Sequence, residues 1–174
     1  LTNSTSNLKT IDETYDWVEH TRLVIQKAIQ IQILAMDMET GMRGYLLAGK
    51  EVFLEPYETG KNQFSDRISE LKKIVKDNSP QVRLLEKIEE TIEDWQKHVA
   101  EPMTKLRRKI GFSKTMDDMA DMIGEGRSKR FFDRFRGIMA DFRGEEEKLM
   151  KDRQEKNHRI AGRTIQFTIF GTLT

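Results

Sequence analysis

No proline or glycine precedes Gly41 in this chain, and over that stretch apolar side chains recur every three or four positions. Leu8, Ile11, Tyr15, Val18, Ile25, Ile29, Met36 and Leu46 make one such series, the spacing that one face of an α-helix presents to its neighbours. At ~1.5 Å per residue, a helix from Leu8 to Leu47 would be about 60 Å long. A rod of that length hides its apolar stripe only against other long helices, so the feature dictates a helical bundle.

The rest of the chain divides in the same way. Gly49 is expected to end the first helix, and Glu55-Pro56 sits where proline is tolerated, in a first helical turn. Tyr57, Phe64, Ile68, Leu71 and Val75 carry a second helix to Asp77-Asn78. Ser79-Pro80 reads as an N-cap followed by a proline at the first helical position. The third helix presents Leu85, Ile88, Ile92, Trp95, Val99 and Leu106, with Pro102 expected to kink it or split off a last turn before Gly111. A short helix near 115–123 precedes the corner Gly124-Glu125-Gly126. The last stripe is Phe131, Phe135, Ile138 or Met139, Phe142, Leu149 and Ile160. The expected fold is all-α: an elongated antiparallel four-helix bundle with long first and last helices and a short extra helix near 115–123.

From Thr164 to Thr174 the chain carries no charge, after a polar run containing Lys156, Arg159 and Arg163. A span needs about 20 apolar residues, so the expectation is an extracytoplasmic domain over residues 1–163 and the start of a truncated transmembrane helix over 164–174. The other reading is an ordinary helix end. An even number of long helices brings the first and last ends to one end of the bundle, where both would meet a single membrane.

Thirty Lys and Arg against 29 Asp and Glu give a net charge of +1, so no overall field draws nucleic acid, and none is expected as a partner. The clusters at residues 105–109 and 127–130 are either phosphate patches or solvated helix faces. Without cysteine there is no disulfide, thiolate metal site or thiol nucleophile. Glu155-x-x-His158 is half of a di-iron motif. His20 and His98 would have to meet to bind metal or haem, and Met116, Met119 and Met122 are soft-metal thioethers or, more simply, adaptable core filling. With no phosphate loop, nucleophile elbow or zincin motif, neither catalysis, nor a cofactor, nor a metal is expected.

The densest motif is Glu39-Thr40-Gly41-Met42-Arg43-Gly44-Tyr45-Leu46-Leu47-Ala48-Gly49, followed by Phe53-Leu54-Glu55-Pro56-Tyr57. Glu39 and Arg43 are four apart, and extending the register of Ile25, Ile29 and Met36 puts them on the core-facing line. Such a pair either fixes helix register, with Gly41 and Gly44 admitting a close neighbour, or offers Arg43 to an anionic ligand.

This run resembles the signature of the third type of CHASE domain, an extracytoplasmic sensory domain of bacterial receptors. Asp77-Asn78 with Pro80-Gln81, Trp95, Glu101-Pro102, Gly124 with Gly126-Arg127, Asp133, Glu145-Glu146, Leu149 and Arg153 are similar to that family's pattern across most of the chain. The resemblance implies a periplasmic sensor between two inner-membrane helices, with signalling modules beyond the second. Trp17-Val18-Glu19-His20-Thr21 looks most like the methyl-accepting chemotaxis proteins; histidine kinases and diguanylate cyclases carry similar sensors. A non-enzymatic receptor segment is therefore expected, pairing as a homodimer and sensing a small molecule or a binding protein. Glu39, Arg43, Tyr45, Trp95 and Arg127 are the candidate ligand-binding residues. The competing reading is a structural coiled coil without a ligand.

Overall fold

The computed structural model of the chain describes the backbone of residues 2–171 and the side chains of residues 15–156 and of Arg159. It is all-α. The helices are α1 (Thr2–Ala48), α2 (Glu55–Ile74), α3 (Ser79–Trp95), α4 (Glu101–Lys109), α5 (Met116–Gly124) and α6 (Arg127–Gly171), with a 3₁₀ turn at Glu51–Leu54 and one π turn at Gln96–Ala100. The π turn joins α3 to α4, so the expected third long helix is present with one widened turn. Two compact units form: Lys27–Phe142, and a second made of Leu1–Gln26 with Arg143–Thr174. Both chain termini thus belong to one unit. Among the described residues no helix is long and apolar enough to cross a membrane, and the side chains of residues 164–174, the expected start of a span, lie outside the described residues.

Local chemistry sets the helix ends. Gly49 takes φ +68°, a left-handed conformation that a side chain would strain, and its N–H reaches back to the Tyr45 carbonyl at 2.8 Å. The Arg107 guanidinium lies against Gly49 and donates from Nε to the Leu46 carbonyl at 2.8 Å, occupying a carbonyl that α1 leaves open. At α3 the cap is Asn78 rather than the expected Ser79, because its Oδ1 accepts the Gln81 N–H at 3.3 Å. Thr115 and Asp118 close a reciprocal capping box at the start of α5. That backbone hydrogen bond from Thr115 holds the Asp118 carboxyl below its usual range.

Ahead of Pro102 the third helix continues into its last segment through the π turn. Lacking an N–H, Pro102 cannot continue the i to i−4 ladder, and the chain widens so that the Glu101 N–H bonds the Gln96 carbonyl five residues back. The extra residue changes the buried register from Ile88, Ile92, Trp95 and Val99 to Ala100, Met103 and Thr104.

The expected stripe on α1 is only partly the buried one: Leu46 is buried, Val18 and Ile25 are half-buried, and the side chains of Leu8 and Ile11 lie outside the described residues. Thr21, Val24, Ala28, Ile31, Ala35, Met38, Met42 and Tyr45 are buried at three-four spacing, whereas Tyr15, Ile29 and Met36 are exposed. Both stripes have helical spacing. Small Thr21, Ala28 and Ala35 make the buried one read as the weaker, yet their size is what lets neighbouring helices approach closely. On α6 the burial falls on Phe132, Phe135, Met139 and Phe142, so Phe132 replaces Phe131. The stripes on α2 and α3 are buried as expected.

Within the Lys27–Phe142 unit, the glycines of the signature admit backbone. A Cβ on Gly41 would stand 2.9 Å from the Tyr57 nitrogen and 3.1 Å from the Phe53 carbonyl oxygen, and one on Gly44 would stand 3.2 Å from the Phe53 ring. Gly60 of α2 lies against Met38 and the Leu34 carbonyl. By contrast, a Cβ on Gly137 of α6 would meet nothing within 4 Å. Gly41→Ala should therefore lower the unfolding free energy by about 1–2 kcal/mol through overpacking against backbone. Gly137→Ala should raise it by about 0.5–1 kcal/mol, the ordinary gain for alanine in an open helical position. Urea denaturation of both variants checks the contrast.

Candidate functional site

A pocket of about 400 Å³ opens in the Lys27–Phe142 unit where the end of α1, α4, α5 and the start of α6 meet. α1 contributes Met42, Arg43, Leu46 and Leu47 to its wall, α4 Met103, and α5 Met116, Met119 and Ile123. Gly126, Ser128 and Lys129 close it on the α6 side. Met103 of α4 is almost fully buried in this wall, one turn after Val99. Four flexible, polarizable methionines give a lining that adapts to shape rather than imposing one.

Polar groups meet at one edge. The Trp95 indole Nε1–H donates to Ser128 Oγ at 3.1 Å, and Ser128 Oγ donates to Glu39 Oε1 at 3.4 Å. The same carboxylate oxygen lies 3.6 Å from an Arg43 guanidinium nitrogen. Ser128 thus ties α3, α6 and α1 together beside the pocket. Trp95 is fully buried, with Tyr57 and Phe132 edge-on to it at centroid distances of 6.1 and 5.1 Å.

The five expected site residues separate into three groups. Glu39 and Trp95 join the hydrogen-bond chain through Ser128. Arg43 lines the pocket, but it does not lie on a core-facing line: its side chain is 64% exposed while that of Glu39 is 14% exposed. The buried register passes through Met38 and Met42, so Glu39 flanks it and Arg43 lies beyond. Tyr45 and Arg127 are absent from the pocket wall. The Tyr45 ring is buried 5.9 Å from the Arg108 guanidinium, and burial, followed by its hydrogen bond to Glu51, raises its pKa. Arg127 pairs with Glu125.

The two basic clusters are occupied in the same manner. Arg107 caps α1, Arg108 pairs with Glu51, Lys129 with Asp133, and Arg130 donates to the Glu125 carbonyl at 2.6 Å. Among the described residues, no group of three His, Cys, Asp or Glu is placed to hold a metal ion. His98 has Nδ1 2.9 Å from the Asp94 carbonyl oxygen, and the His20 ring packs edge-on against Trp17. Met122, grouped in the sequence with Met116 and Met119, is outside the pocket wall.

Sequence reasoning missed Met42 and Met103, and from the cluster at residues 127–130 it singled out Arg127 where the wall holds Ser128 and Lys129. The local methionine cluster on α5 was a signal, but nothing in the spacing could bring Met42 and Met103 to it. In the other unit, the Arg153 guanidinium lies 4.1 Å over the Trp17 ring and donates to Thr21 Oγ1 at 3.4 Å, which ties α1 to α6.

The family profile described as CHASE3 domain matches residues 14–156. The sensor domain of the Rhodopseudomonas palustris histidine kinase HK9 superposes with a TM-score of 0.65 at 19% sequence identity, over 75% of this chain and 98% of that one. Among curated proteins none matches.

The Tyr57 hydroxyl is buried without a hydrogen-bond partner among the described residues. Burial, with Glu101 and Glu58 adding to it, pushes its pKa from 10.0 to about 12. A folded-state pKa above the unfolded one gives stability that is whole below about pH 10 and is lost as pH rises through about 12. Tyr57→Phe should match or exceed the parent at pH 7, since it removes an unpaired donor, and should keep more stability at pH 11. Parallel urea titrations at the two pH values test this, and equal losses in both proteins would refute it.

Proposed function

The chain belongs to the CHASE3 family of extracellular sensory domains, and on that premise we propose that it is the ligand- or partner-sensing segment of a bacterial transmembrane receptor, on the periplasmic side of the inner membrane. Its role is to bind and relay, without a catalytic step. The observation that carries this reading is α6. One unbroken helix starts beside the pocket at Ser128 and Lys129 and ends in the unit that holds both chain termini. A ligand that favours one placement of Ser128 and Lys129 shifts the helix population by its difference in affinity for the two placements. The relay then passes along α6 toward the membrane.

For the output we propose a methyl-accepting chemotaxis module, supported by the run Trp17-Val18-Glu19-His20-Thr21. A histidine kinase output is the second reading, favoured by the shared fold of the kinase sensor domain. Stimulus-dependent glutamate methylation in the full-length receptor supports the first, and phosphate transfer from ATP to histidine supports the second. For location, alkaline phosphatase inserted in the exposed turn at Phe112 of the membrane-inserted protein should be active, and green fluorescent protein at the same point dark. The reverse pattern ends the extracytoplasmic reading.

We also propose pairing with a second copy through the outer face of α1. Ile29, Ile33 and Met36 are 41%, 50% and 51% exposed and follow the four-three spacing of a helix–helix seam. Ile33→Glu should convert a dimeric parent into a monomer in sedimentation equilibrium without lowering its helicity. A parent that is monomeric over the whole concentration range excludes the pairing.

A further inference from the structure

We infer that the methionine-lined pocket takes an elongated amphipathic anion, its alkyl or aryl body against Met42, Met103 and Met119 and its carboxylate at the rim between Arg43 and Lys129. The inference rests on the sensor reading and adds the chemistry of what is sensed. A volume of about 400 Å³ is that of a small-ligand site rather than a packing defect. Met42, Met103 and Met119 are almost fully buried, so the inner wall is apolar and has no polar group to satisfy a sugar or an amino acid backbone. The mouth is different. Arg43 and Lys129 are the charged residues of the lining, both cationic, and the carboxylates that pair with them, Glu39 and Asp133, stand outside the wall.

Their present partners leave them available. Arg43 meets Glu39 only at 3.6 Å and is 64% exposed, and Lys129, paired with Asp133, is 75% exposed. The Lys129 pair is open to water on both sides and weak, and the Arg43 contact is long, with Glu39 also held by Ser128, so a carboxylate arriving with a buried apolar body can compete for both cations. The first turn of α6, at the same edge, adds N–H groups that have no partner inside the helix.

A soft metal ion is the alternative occupant, since four thioethers are ligands that Cu(I) or Ag(I) accept. Charge decides against it: the lining sets two cations beside the sulfurs and supplies no anionic ligand to offset a metal's charge. An anion gains from the same two residues. The seat of the carboxylate also lies beside Ser128, whose hydroxyl links the buried Trp95 to Glu39, so occupancy draws Arg43 away from Glu39 and disturbs the hydrogen bonds that hold the start of α6.

Isothermal titration calorimetry of this chain with hexanoate, octanoate and decanoate, and with octanol, octyltrimethylammonium and Ag(I), tests the inference. Affinity should rise about three- to fourfold per added methylene. Octanoate should bind at least tenfold more tightly than octanol, and octyltrimethylammonium should give no heat. Arg43→Gln with Lys129→Gln should erase the difference between octanoate and octanol. Both residues are exposed, and an unchanged melting temperature of the unliganded variant shows the fold intact. Ile123→Glu, half-exposed on the wall, should weaken every carboxylate of the series. Octanol matching octanoate, no dependence on chain length, stoichiometric Ag(I) binding with silent carboxylates, or no binding by any probe would each overturn the inference. The sensor reading fails separately, in the phosphatase and fluorescent-protein insertions, which need no ligand.

Discussion

The close approach of the chain around Phe53, Tyr57 and Gly60 to α1 is the contact on which the rest of the Lys27–Phe142 unit depends. Gly41, Gly44 and Gly60 remove the side chains that would hold the two segments apart, and Ala28 and Ala35 keep the buried face of α1 narrow. With α2 laid back along α1, the third helix reaches the end of α1, where Arg107 occupies the Leu46 carbonyl. That placement brings Met103 to Met42 and leaves α5 to cover the remaining side. The pocket is therefore a consequence of glycines that do not line it.

Magnitudes separate the polar groups that hold the fold from those free to do something else. A buried donor left without a partner costs about 1–3 kcal/mol, so the Trp95 indole N–H and Ser128 hydroxyl are a structural tie between α3 and α6. The Glu39–Arg43 contact is long, at 3.6 Å, and its arginine is 64% exposed, so it holds register less firmly than the Ser128 hydroxyl that donates to the mostly buried Glu39 carboxylate. The arginine of the signature stands open to water, while its glycines are taken up by packing.

Periodicity located the helices because helix formation is a local property of the backbone. The stripes of Phe64, Ile68 and Leu71 and of Leu85, Ile88 and Ile92 were legible since each of those helices has a single apolar face. α1 has two. Ile29 and Met36 are larger and more apolar than Ala28 and Ala35, so a reading by hydrophobicity chose the exposed face, and with it a core-facing position for Arg43. The shift from Phe131 to Phe132 has the same origin in adjacent aromatic residues competing for one register. In the site, Arg43, Glu39 and Trp95 were legible as members of a signature, whereas Ser128 is one hydroxyl among many until Trp95 and Glu39 stand beside it.

By itself the sequence determined an all-α chain of long helices, their turns at Gly49, Asn78, Gly111 and Gly126, the family signature and the lack of a thiol, because each of these follows from local backbone chemistry or from composition. Only the tertiary structure decided which face of α1 is buried, that Pro102 is absorbed in a π turn, and that methionines 42, 103, 116 and 119 share one cavity. Those outcomes bring together residues far apart in the chain, Met42 and Met119 being separated by 77 positions, and no local pattern encodes a meeting across that separation.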